Sequence, residues 1–189
     1  MEKDTDLAAT LADRLHAGAI RSLWAGAARD VMPAVERLLR HADSADTRTG
    51  YNALWVLTHM PRAGRPMLRA HRGELVGMLL RCNHDGKRRL LLTLLDSMPT
   101  EPEDVDGEYL DYCLAGINST APYAVRALCL KQAYEQCRHY PELLNELTEA
   151  IRLMETGELS PGLKSARKNV LRKMGINRSR TASARRYLI

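Results

Sequence analysis

Lys164, Lys168 and Arg172 recur at every fourth position of SPGLKSARKNVLRKM, residues 160–174. A four-residue step returns to one face of an α-helix, so these cations would share one side while Leu163, Ala166, Val170 and Met174 share the other. Arg167 borders the apolar stripe and Lys173 adjoins the row. The chemistry such a row offers is attraction for an anion, either nucleic-acid phosphate or an acidic protein surface. The plainer account is a capping helix whose outer face must be wet, a task that lysine and arginine perform in any protein.

Charge is segregated along the chain. Nine of the 28 basic residues, and none of the 23 acidic ones, fall in residues 161–189, so the preceding 160 residues hold 19 basic against 23 acidic residues. The pI of 9.2 therefore describes one end and does not make the whole surface a nucleic-acid binder.

Other candidate sites are weaker. Cys82-x-His84 and Cys137-x-His139 offer four zinc-type donors, but they fall on helices that are not neighbours in the predicted order, which favours buried thiols beside ordinary imidazoles. The acidic stretch EPEDVDGEYLDYC resembles a calcium loop until it is indexed: with Gly107 in the sharp-turn slot, the first ligand position is Pro102 and the last is Cys113. Nucleophile-elbow, zinc-protease, phosphate-loop and dinucleotide motifs are absent, and His59 and His71 stand singly in helical patterns. No catalytic residue, metal or cofactor is expected. The acidic N-terminus lacks a secretory pattern and no stretch is long enough to span a bilayer, so no membrane association and a cytoplasmic location are expected, with four reduced cysteines.

The elements that must carry these residues are helical throughout. Apolar residues repeat with helical spacing over 7–24, 31–42, 46–60, 65–82, 86–98, 104–118, 121–139, 141–156 and 161–174, nine helices with no convincing strand. Pro66, Pro122, Pro141 and Pro161 suit first helical turns, and Thr120 and Ser160 suit N-caps. The last fourteen residues, 176–189, read as a basic tail after a domain spanning 1–175.

Two stretches match internally. Ala53, Val56, Leu57, Met60 and Pro61 correspond in order to Leu91, Leu94, Leu95, Met98 and Pro99 at a constant offset of 38. A repeated helical pair of that length predicts an α-solenoid, in which no unit buries its apolar surface alone. This explains why Leu90, Leu91, Leu92, Leu94 and Leu95 crowd one segment: an interior helix meets its hairpin partner and the adjoining repeats.

With these repeats, APYAVRALCL and the closing SPGLKSARKNVLRKM, the chain resembles HEAT-like repeat proteins, and more loosely the helical-repeat superfamily of DNA alkylation repair glycosylases. The resemblance implies an all-α solenoid of about four helical hairpins plus a terminal helix. From the glycosylases it further implies aromatic contacts to a base, for which Trp24 and Trp55 are the two tryptophans, although no acidic residue matches a catalytic position. The expected function is a non-catalytic scaffold or adaptor holding a protein or nucleic acid on a concave face. A glycosylase-like DNA repair activity and a purely structural place in an oligomer are the alternatives.

Overall fold

A computed structural model describes residues 2–27, 31–154 and 159–176; residues 177–189 of the expected basic tail lie outside the described residues. Among the described residues all regular structure is helical, in ten α-helices and two 3-10 segments. The chain divides into two compact units, Met1–Pro99 and Thr100–Ile189.

The first unit contains α1 (Glu2–Ala12), α2 (Ala17–Gly26), α3 (Val31–Ala42), α4 (Thr47–Thr58), a 3-10 segment (Arg62–His71), α5 (Arg72–Arg81) and α6 (Asp85–Asp96). Helix α3 pairs with α4 and α5 with α6, while α4 also packs against α6 and α1. The leucine-rich segment is α6, and Leu90, Leu91, Leu92, Leu94 and Leu95 are all buried there. At ~1.5–3 kcal/mol for each fully buried leucine, this helix is a principal contributor to the core of its unit.

The second unit contains a 3-10 turn (Pro102–Asp104), α7 (Gly107–Ile117), α8 (Tyr123–Cys137), α9 (Pro141–Arg152) and α10 (Pro161–Lys173). Helix α8 is central, packing against α7, α9 and α10. Its core includes Tyr109, whose hydroxyl donates to Gln132 Oε1 at 2.9 Å, so the buried polar tip is satisfied.

The repeat is visible as contacts. Within the first unit Arg81 reaches Asp43 and Arg89 reaches Tyr51, each pair 38 residues apart. Within the second, Arg138 donates to Thr100 O, Tyr140 to Pro102 O, and Lys173 to Glu135, at the same separation. Residues one period apart meet side by side, as stacked helical hairpins require. The architecture is all-α, of the α-solenoid type.

Three expectations are corrected. The helix expected over 7–24 is two helices, because the chain turns at residues 13–16 and buried Asn52 donates to Leu11 O and Asp13 O, taking carbonyls a continuous helix would use. The helix expected over 65–82 begins as a 3-10 segment, with Pro66 inside it; proline has no N–H for the i−4 bond and crowds that carbonyl. Thr120 does not cap α8, whose N-cap is Pro122. Ser160 caps α10 by accepting from Leu163 N, and Pro141 and Pro161 open their helices as expected.

Candidate partner-binding surfaces

Helix α10 starts from the Ser160 cap and seats Leu163, Ala166 and Val170 in the core. That seating turns Lys164, Lys168 and Arg172 outward, and all three are exposed. Their steps of four residues place them about 6 Å apart along the helix. Among the described residues these three make no ion pair. The two flanking cations behave differently. Lys173 Nζ lies 2.8 Å from Glu135 Oε1 and 5.0 Å from the Tyr134 ring centroid, so it is already engaged by α8. Arg167 is half-buried, with Nε shielded from solvent and without a hydrogen-bond partner. Three of the five sequence candidates thus form the outward row.

Trp24 and Trp55 occupy opposite environments. Trp24 is buried, and its indole N–H donates to Val56 O at 3.0 Å, tying α2 to α4. Its neighbourhood is a cleft of about 490 Å³ that Leu7, Leu23, Leu38 and Arg37 also line. Trp55 is half-exposed on α4, with the His59 imidazole edge-on at 5.7 Å.

Around Trp55 lies a face that composition and spacing did not single out. Arg48, Tyr51, Trp55 and His59 follow one another along the solvent side of α4, and Arg89 and Thr93 occupy the same side of α6. Arg89 Nη2 stands 3.5 Å from Tyr51 Oη. His84, the N-cap of α6, accepts from Lys87 N through Nδ1 and sets its ring edge-on to Tyr51 at 6.4 Å. Gly86 makes this closeness available: a Cβ there would stand 2.9 Å from His84 Cε1 and 3.1 Å from Tyr51 Cε2. The Tyr51–Arg89 contact follows from the 38-residue offset, a signal in the sequence that would have found it.

Each Cys-x-His pair contributes a hydrogen bond to a backbone carbonyl. Cys82 Sγ donates to His84 O, and His139 Nε2 donates to Thr100 O at 2.8 Å. Burial pushes the Cys137 thiol up to about 12, with Glu146 adding to the shift, and burial likewise raises Cys113, helped by its neighbour Cys129. Among the described residues no group of three or more His, Cys, Asp or Glu side chains is placed to hold a metal ion. No described helix is long and apolar enough to cross a membrane.

Helical hairpins stacked at a constant period define a helical-repeat protein. A family model described as HEAT repeat domain matches residues 7–174, and the chain belongs to that family. No curated protein and no solved structure matches it.

Proposed function

We propose that the protein is a non-catalytic helical-repeat scaffold that holds a protein or nucleic-acid partner, with an anionic partner docking on α10. The observation that supports this is the row Lys164–Lys168–Arg172, exposed and, among the described residues, without ion pairs. Arg167 and Lys173 flank the row, and the charge of Lys173 is already partly balanced by Glu135. We take residues 1–175 as one HEAT-like repeat domain, because the family match runs from 7 to 174, and residues 176–189 as a basic C-terminal tail. A cytoplasmic location suits the four free cysteines.

The test is salt dependence. A labelled oligonucleotide and a labelled acidic peptide are titrated by fluorescence anisotropy at several ionic strengths, against the wild type and the Lys164→Ala/Lys168→Ala/Arg172→Ala variant. For a single strand each phosphate contact contributes about 0.7 to the slope of log K against log salt, so losing three should reduce the slope by about 2. Oligonucleotide binding with that reduction, or acidic-peptide binding that weakens in the variant, supports the proposal. Unchanged affinity and slope in the variant, or no binding of either probe at low salt, overturns it.

A further inference from the structure

The α4–α6 face has an arrangement that α10 lacks, rings interleaved with guanidinium groups. Tyr51 and Trp55 are one helical turn apart, about 6 Å along the axis. Tyr51 is braced by His84 against Gly86, and Trp55 by His59, so neither ring lies loosely on the surface. Arg89 stands at the Tyr51 hydroxyl and Arg48 one turn before it. The carboxylates at the starts of the two helices are committed elsewhere: Asp46 accepts from the Thr49 hydroxyl and N–H, and Asp85 pairs with Arg88. The hydroxyl protons of Thr58, Thr93 and Ser97 are given to carbonyls of their own helices. What remains for a partner is π-surface together with the N–H groups of Arg48 and Arg89, donors that suit phosphate oxygens.

We propose that the outward face of α4 and α6, through Tyr51, Trp55 and Arg89, is a stacking surface for single-stranded nucleic acid. A polymer that carries a flat ring and an anion in every unit matches rings interleaved with arginines, and ring stacking tolerates any base. The spacing selects the single strand. Successive bases in a stacked helix are 3.4 Å apart, whereas the Tyr51 and Trp55 backbone positions are about 6 Å apart along the helix axis, so a strand that gives adjacent bases to the two rings must be unstacked. A duplex, paired and stacked, offers neither ring a base face. The inference rests on the reading of α10 as an anion-binding surface and adds what a second surface does with the bases.

Tryptophan emission tests it. Trp24 is buried and Trp55 half-exposed, so stacking on the face quenches one emitter and leaves the other as an internal reference. The wild type is titrated with an unstructured oligothymidine at low salt, following emission and anisotropy together, with a duplex of equal length in parallel. The expected result is quenching by the single strand and none by the duplex. Trp55→Leu and Tyr51→Leu should each weaken single-strand binding about 5- to 150-fold, with circular dichroism verifying the fold. The α10 triple variant should keep the quench at saturation. Anisotropy showing saturated single-strand binding with unchanged emission and an unaffected Tyr51→Leu variant overturns this inference and leaves the α10 reading standing. Binding of the acidic peptide without any binding of the oligothymidine also overturns it, whereas absence of binding to both probes removes the α10 reading too. The wild-type quench needs no variant, so an unfolded Trp55→Leu protein leaves the test decisive.

Discussion

Gly116, near the end of α7, offers a sharp test of the packing between α7 and α8. A Cβ at this position would lie 2.6 Å from Cys129 Sγ and 3.1 Å from Cys129 Cβ, and Cys129 is fully buried. Gly116→Ala must therefore displace a core side chain, an overpacking cost of about 1–3 kcal/mol. Better helix propensity offsets roughly 0.5–1 kcal/mol of that. A net loss of up to about 2.5 kcal/mol corresponds to a fall in melting temperature of up to about 10 °C for a chain of this size. Gly162 in α10 has nothing within 4 Å of its Cβ position, so Gly162→Ala should instead raise the midpoint, by about 1–4 °C. Differential scanning calorimetry on both variants, on Cys129→Ala and on Gly116→Ala/Cys129→Ala completes the cycle. With Sγ removed, the double variant should be more stable than the two single losses predict, by about 0.5–3 kcal/mol. If Gly116→Ala stabilises as Gly162→Ala does, or if the double variant shows only additive losses, the close approach of α7 to α8 is not as described.

Asn52→Ala should destabilise by about 1–3 kcal/mol, because two carbonyls at the end of α1 lose their donor; hydrogen exchange should then rise in α1 ahead of α5 and α6, and uniform exchange across the unit would contradict this. Of the four cysteines, Cys82 is half-buried while Cys113, Cys129 and Cys137 are buried, so a thiol reagent should modify one thiol quickly and the other three only on unfolding. The raised Cys137 thiol contributes stability that is complete below the unfolded thiol range near 9 and is lost as pH rises toward about 12, so the melting temperature should fall over that window and fall less in Cys137→Ala; identical alkaline profiles would refute the assignment. Gln136 is fully buried with Nε2 unpaired, while its Oε1 accepts from Asp106 N at 3.3 Å. Gln136→Met removes the orphan donor at the expense of one long hydrogen bond, and should be neutral to stabilising by up to about 1 kcal/mol; a clear loss in chemical denaturation would show that the Asp106 bond dominates.

The helical class and the period were legible because burial repeats in sequence. Ala53, Val56, Leu57 and Met60, and their counterparts Leu91, Leu94, Leu95 and Met98, are all buried. The outward turn of Lys164, Lys168 and Arg172 was legible for the same reason, as the complement of a buried stripe. What escaped notice depended on contacts distant in sequence. The alanine-rich segment 7–24 carries no proline or internal breaker at residues 13–16, and the break there is accompanied by hydrogen bonds from Asn52 nearly forty residues away. His16 and His84 serve as N-caps through Nδ1, a role for which serine, threonine, aspartate and asparagine are the usual residues. Lys173 was indistinguishable from its neighbours until Glu135 and Tyr134 were placed beside it.

Register governs the core even where residue type does not. Leu54, Leu92 and Leu130 are one period apart in succession and all fully buried, as are Leu57, Leu95 and Ala133. The next two registers start apolar, with Val56 and Leu94, and with Met60 and Met98, then turn polar at Gln132 and Gln136, which are buried nonetheless. Each glutamine accepts a hydrogen bond, from Tyr109 Oη and from Asp106 N respectively, so the second unit tolerates them by supplying donors from α7 and its N-cap. The outward register behaves in the opposite way. Trp55, Thr93 and Lys131 succeed one another at the same step with no shared chemistry. A core position is bound by two neighbouring helices to stay inside whatever it carries, while an outward position answers only to solvent or a partner. In a repeat array, therefore, the leucines are accounted for by the core they fill, while a half-exposed tryptophan braced by a histidine is not, and that difference is what the proposed stacking surface on α4 and α6 rests on.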